Sequence, residues 1–301
     1  MRKSGVAVKS LLLAIASLTI AATTAAQQAK LKFDVASVKQ NKSDSDARPT
    51  SNVPLTQGKA YSPNGGVFTA TNQSLFICIL FAYKVSLTEA WDQFKQLPQW
   101  ARTETFDIHA KTDIPNPTKD QMRLMMQSLL EDRFKLATHR ETRPVSIFAL
   151  TLAKPRTLGP QLKPHPTNSP CPINAPNQPS PTSAPLATLL STWPNQCGDG
   201  DEMTSPHRTR AGARDVTMAQ IAAWLSAEGD TDLPIVDKTN LTGTFDLVIE
   251  FTPEHGPAIT TDNPIPTFQQ ALKDQLGLKL EKQRGDATFF IIDHVEQPSE
   301  N

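Results

Sequence analysis

The sequence predicts an α+β fold built from two duplicated units. Each unit is ordered strand, helix, strand, helix, hairpin, with largely antiparallel sheets. Two observations predict it. Thr105-Phe106-Asp107 returns as Thr244-Phe245-Asp246 within the run Pro234 to Phe251, PIVDKTNLTGTFDLVIEF. Around each copy the same elements recur at nearly constant offset: Ser74 to Thr217 is 143 residues, Thr105 to Thr244 is 139 and Phe134 to Leu278 is 144. Neither half is a strict strand–helix–strand alternation, which argues against a parallel α/β sheet.

Residues 1–26 read as a signal segment. Arg2, Lys3 and Lys9 precede an apolar run from Leu11 to about Ala22, and Thr24-Ala25-Ala26 supplies small residues for cleavage after Ala26. No later stretch approaches the ~20 apolar residues a membrane helix needs, so no transmembrane span is expected after cleavage. The expected location is the periplasm or the extracellular space. Removing the segment leaves 27 basic against 30 acidic residues, a net −3. With no basic block, nucleic acid is excluded as a partner.

The N-terminal unit spans 27–154. Lys32 to Val38 alternates with period two and predicts a strand, and Val67 to Ala70 predicts another. Ser74 caps a helix over Leu75 to Tyr83 that is apolar nearly all round, hence buried. Trp100, after Leu97-Pro98-Gln99, reads as a packing anchor beside the strand Thr105 to Lys111. Thr118 and Gln121 form a capping box. Met122, Met125, Met126, Leu129 and Leu130 follow it on one helical face. Phe134 to Leu152, turning at Arg140 to Pro144, predicts a hairpin.

Residues 155–206 hold 12 of the chain's 25 prolines. Proline fixes φ and removes a backbone donor, so the segment reads as a linker. Cys171 and Cys197 lie in it and are the natural disulfide pair of an oxidising compartment. Cys78, in an apolar run, reads as a buried free thiol.

The C-terminal unit spans 207–301. Arg208 to Val216 predicts a strand, Thr217 opens a helix, and Pro234 to Asp237 and Thr244 to Phe251 predict a strand pair. At their corner Asp237 or Asn240 bonds the turn backbone and Gly243 permits positive φ. Alternation puts Phe245, Leu247 and Ile249 on one face, Asp246 opposite, and Phe106 and Asp107 likewise. A carboxylate there must be exposed or paired. Thr267 opens a last helix ended by Gly277. Leu278 to Val295, turning at Arg284-Gly285-Asp286, predicts the closing hairpin.

Familiar chemical constellations are missing. Asp237-Lys238-Thr239 has the opening of a phosphorylated-aspartate motif, but the Gly-Thr is displaced and no nucleotide domain accompanies it. The histidines are scattered without metal-ligand spacing, so neither metal nor cofactor is expected. No Gly-x-Ser-x-Gly elbow offers a nucleophile.

The chain resembles a soil-bacterial family of exported proteins known only as a domain of unknown function. The resemblance is carried in order by Phe33 to Lys39, Pro98-Gln99-Trp100, Phe106-Asp107-Ile108, Leu129 to Leu136, His139-Arg140-Glu141, Val236 to Thr239, Leu241-Thr242-Gly243, Leu276 to Leu280 and Pro298 to Asn301. It implies export and the two-part layout. Some members are joined to a membrane metallopeptidase of the β-lactam-sensor type, which implies envelope sensing. The resemblance brings no catalytic residues. The reading is a non-catalytic binding or sensing module for an envelope protein or peptide. The alternative is an envelope hydrolase whose site is assembled from sequence-distant residues.

Overall fold

The computed structural model describes residues 30–43, 47–59, 61–167, 185–194, 197–228, 231, 233–253 and 265–298. The expected signal segment and Cys171 lie outside the described residues. The fold is α+β, with helices on sheets that are mainly antiparallel.

The first sheet comprises β1 (Val35–Asn41), β2 (Thr50–Ser51), β3 (Val67–Ser74) and β4 (Thr105–Lys111), ordered β1-β4-β3-β2 and antiparallel throughout. Its helices are α1 (Leu75–Tyr83), α2 (Leu87–Gln96), α3 (Gln99–Thr103) and α4 (Lys119–Phe134). Helix α1 starts where Ser74 Oγ accepts the Ile77 N–H at 3.3 Å, and it stops at Lys84, whose φ is +52°. Helix α4 starts in the Thr118–Gln121 capping box and stops at Lys135, whose φ is +50°. Phe68, Phe106 and Ile108 of the sheet share one core with Phe76, Phe81, Met122, Met126 and Phe134. Phe106 meets Phe134 edge-on at 5.1 Å.

Next come β5 (Ala137–Leu152), β6 (Leu162–Pro164), α5 (Leu186–Thr192), β7 (Asp199–Ser205), β8 (Arg208–Val216), α6 (Met218–Glu228), β9 (Ile235–Asp237), β10 (Phe245–Phe251), α7 (Phe268–Ala271) and β11 (Leu278–His294). A π turn, Leu272–Leu276, joins α7 to β11. The second sheet is ordered β6-β10-β8-β7, again antiparallel. Phe245, Leu247, Ile249 and Phe251 face a core with Met218, Ile221, Leu225, Leu272 and Leu276.

Three expectations are corrected. The two hairpins do not exist: β5 and β11 are single strands of 16 and 17 residues, paired with each other antiparallel from Leu278↔Leu152 to His294↔Ala137. Pro144 and Gly285 had the look of turn residues. In the ribbon Pro144 stands opposite Asp286 and Gly285 opposite Val145. Second, β9 and β10 are not a strand pair. β9 runs parallel to β5 in a third sheet, β11-β5-β9, while β10 lies in the second.

Third, the Pro-rich segment is more than a linker. It supplies β6, α5 and β7, and α5 covers the outer face of β10. There Val248 packs with Leu189, Leu190 and Trp193. The Trp193 ring lies on β8 at Gly212, where a Cβ would come within 2.6 Å of it. Proline tolerates such short, irregular elements because few of their N–H groups need partners. Among the described residues no helix is long and apolar enough to cross a membrane.

Candidate functional site

Four places concentrate polar chemistry: a carboxylate corner in each of the two four-stranded sheets, an arginine buried under the first sheet's loops, and the β5–β11 ribbon.

The corners arise from alternation. Phe106 and Phe245 point into the cores at 1% and 3% exposure, so Asp107 and Asp246 leave the opposite faces. Asp107 Oδ1 accepts the Asn72 N–H at 2.9 Å and an Asn41 Nδ2–H at 2.8 Å. Asn72 has φ +54° and sits where the β3–β4 register shifts, between Ala70 and Gln73. Asp246 Oδ1 accepts the Asp215 N–H at 3.0 Å and lies 2.7 Å from His165 Nδ1. Asp215 has φ +53° and borders the shift in the β10–β8 pairing. A bulge takes an N–H out of the ladder, and the carboxylate receives it. Asn and Asp tolerate the left-handed conformation that such a bulge requires.

His165 and Asp246 form a buried pair with the geometry of a general base and its orienting acid. Yet Asn41, which cannot exchange a proton, does the same for Asp107. The work common to both corners is holding a bulge.

Arg123 is 2% exposed on α4. Its Nη2 donates to the carbonyls of Thr56, Gln57 and Gly58 at 2.8, 2.8 and 2.7 Å. Its Nη1 donates to Asp120 Oδ1 at 2.5 Å. The guanidinium lies 5.3 Å from the Phe81 ring centre, and Lys119 Nζ donates to Thr56 Oγ1 at 3.0 Å. The loop thus held meets the second half of the chain: a Cβ on Gly58 would stand 2.7 Å from both the Cys197 carbonyl oxygen and Gly198 Cα. Burial pushes the Asp120 carboxyl up, but Lys84 and Arg123 together outweigh it and hold it below its ordinary value. Sequence reading placed α4 correctly but missed a cation on its inner side. The signal was Lys119 and Arg123 at i, i+4.

The singled-out residues do not converge. Trp100 is half-buried and stacks on Phe134 at 6.5 Å. Asp237 Oδ1 accepts the Thr239 N–H at 2.9 Å and its hydroxyl at 2.7 Å, and Gly243 has φ +89°. That is a self-bonded turn. Cys197 is buried. Among the described residues no group of three or more His, Cys, Asp or Glu could hold a metal ion.

The β5–β11 ribbon presents an unpaired backbone edge along β11. Ile292 donates its N–H to Gln93 Oε1 on α2, away from β5, whereas the Gly277 carbonyl accepts from Ala153, towards β5. Backbone groups alternate sides along a strand. The N–H and C=O of Leu280, Lys282, Arg284, Asp286, Thr288 and Phe290 therefore point outward. Among the described residues none of them is hydrogen-bonded to another element. On the other side of the ribbon, Phe148 and Leu150 bond the chain around β9. Pro144 falls at an outward position, where it offers no donor. Side chains from Arg140 to Pro144, Glu141 apart, and from Glu281 to Arg284 are exposed.

No curated protein and no solved structure matches the chain. A family described as "Protein of unknown function (DUF3738)" matches residues 77–295, from α1 past the end of β11, and the chain belongs to that family.

Proposed function

We propose that this protein is an exported, non-catalytic binding module that takes an extended partner segment along the open edge of β11. The carrying observation is the row of outward backbone groups from Leu280 to Phe290. An added strand needs donors and acceptors at alternate residues, and this edge offers them. Arg284→Pro removes one outward N–H without touching a β5 bond, whereas Gln283→Pro removes an inward one and breaks the ladder. A tagged chain cross-linked in the envelope of cells that make it should lose its partner in Arg284→Pro while its circular dichroism is unchanged. Partner recovery unaffected by Arg284→Pro would sink the reading.

Among the described residues the hydrolase alternative could draw on the pair His165–Asp246, whose carboxylate is engaged by the Asp215 N–H, or on the exposed pair His139–Asp293 at 2.8 Å.

Internal duplication belongs to this reading. The strand orders β1-β4-β3-β2 and β6-β10-β8-β7 correspond position by position. Each sheet also has one bulge closed by the aspartate of its Thr-Phe-Asp.

Export rests on residues 1–26, with Cys171 and Cys197 bridged in the mature chain. Burial pushes the Cys78 thiol up to about 12, so it carries no thiolate at neutral pH. Protein from the envelope fraction should begin at Gln27. Unfolded without reductant it should label at Cys78 alone, and with reductant at all three cysteines. Labelling of Cys197 without reductant would defeat the bridge.

A further inference from the structure

The segment Lys282-Gln283-Arg284-Gly285-Asp286-Ala287-Thr288 is self-complementary in charge about its central glycine. We infer that the occupant of the β11 edge is a second copy of this chain, joined in an antiparallel β11–β11 ladder centred on Gly285. The inference rests on the strand-addition reading and names its partner.

Only even-numbered residues of β11 present backbone groups outward, so a symmetric ladder must set even residues against even. Centred on Gly285, Arg284 faces Asp286 of the other copy and Asp286 faces its Arg284. Lys282 faces Thr288 and Leu280 faces Phe290. Shifting the centre to Arg284 sets two arginines against each other, and shifting it to Asp286 sets two aspartates. A centre at Gln283 opposes Lys282 to Arg284. Directly opposed like charges destabilise a strand pair and opposite charges support it, so the charges select one register.

Gly285 falls on the two-fold axis in a non-hydrogen-bonded pair, where Cα atoms approach to about 4.5 Å. Helix α2, whose Gln93 takes the Ile292 N–H, ends the ladder beyond Phe290. Both Arg284 and Asp286 are exposed, and neither is ion-paired among the described residues. Their charges are thus available to a second copy, and changing them leaves the ribbon's own contacts in place. The joined ribbons would form one six-stranded sheet of isologous symmetry.

Sedimentation velocity over a concentration series tests this. The wild-type chain should dimerise. Arg284→Asp and Asp286→Arg, each placing like charges opposite twice, should each weaken association by roughly tenfold or more. The double swap Arg284→Asp/Asp286→Arg should restore it. Amides of Lys282, Arg284, Asp286 and Thr288 should gain exchange protection with concentration. A wild-type chain that stays monomeric, or a double swap that fails to recover the dimer, overturns the inference. If a different envelope partner is then lost in Arg284→Pro, strand addition stands with another occupant. If Arg284→Pro changes nothing, both readings fall.

Discussion

Arg123→Met will destabilise the fold by roughly 3–5 kcal/mol, the scale for breaking a buried charged network by removing one partner. The guanidinium is 2% exposed and satisfies three consecutive carbonyls, at Thr56, Gln57 and Gly58. Methionine fills the volume and leaves those acceptors without a donor. Arg123→Lys should recover little, because a point ammonium cannot span three carbonyls and Asp120 at once. Urea denaturation reads both. The same cluster makes stability depend on acid. Asp120 is held below its ordinary 3.8 in the folded chain. Its contribution is therefore present above that pH and is lost as pH falls through the lower folded value. The carboxylate is half exposed, so solvent limits the size of this effect. Arg123→Met should flatten the acid limb. A loss near 1 kcal/mol for Arg123→Met would show that the loop holds itself.

Phe245→Ala should cost roughly 3–5 kcal/mol, as truncating a buried aromatic does. Phe245 is 3% exposed and belongs to the second core. Asp246→Ala should cost about 1–3 kcal/mol, because the half-buried Asp215 N–H then loses its acceptor. Asp246→Asn should fall much closer to wild type, since its side-chain carbonyl can still accept that N–H. Chemical denaturation of the three variants orders them. If Asp246→Ala is silent, the carboxylate does not hold the bulge.

Much of the fold was legible because local rules decided it. Ser74, Thr118 and Thr267 announce three helices by capping chemistry, and alternation assigned Phe106 and Phe245 to the cores. Helix α2 carried the same signal, a Ser86–Glu89 capping box followed by Leu87, Ala90, Trp91 and Phe94 at helical spacing, so it was legible by the same rule. The ribbon was not legible. Gly285 and Pro144 mark turns when read locally, and only the distant strand that each one faces shows otherwise. Asp246 was half legible: alternation gave its direction, but not the α5 layer that buries that face. Arg123 escaped because a cation beside methionines reads as a solvated edge.

The β5–β11 ribbon also governs when this chain can finish folding. Its pairs join residues separated by 126 positions at Leu152↔Leu278 and 157 at Ala137↔His294. Such closure is entropically costly and slow, and it lets local structure form well before the long-range ladder. Phe290, four residues before the strand ends, completes the core of the first half. The first core therefore stays unsealed until Phe290 has been synthesised. A stop codon in β11 before Phe290 would shorten the partner of β5 and leave that first core open. Strand β11 thus acts as a completeness check on the first core, more than a hundred residues upstream.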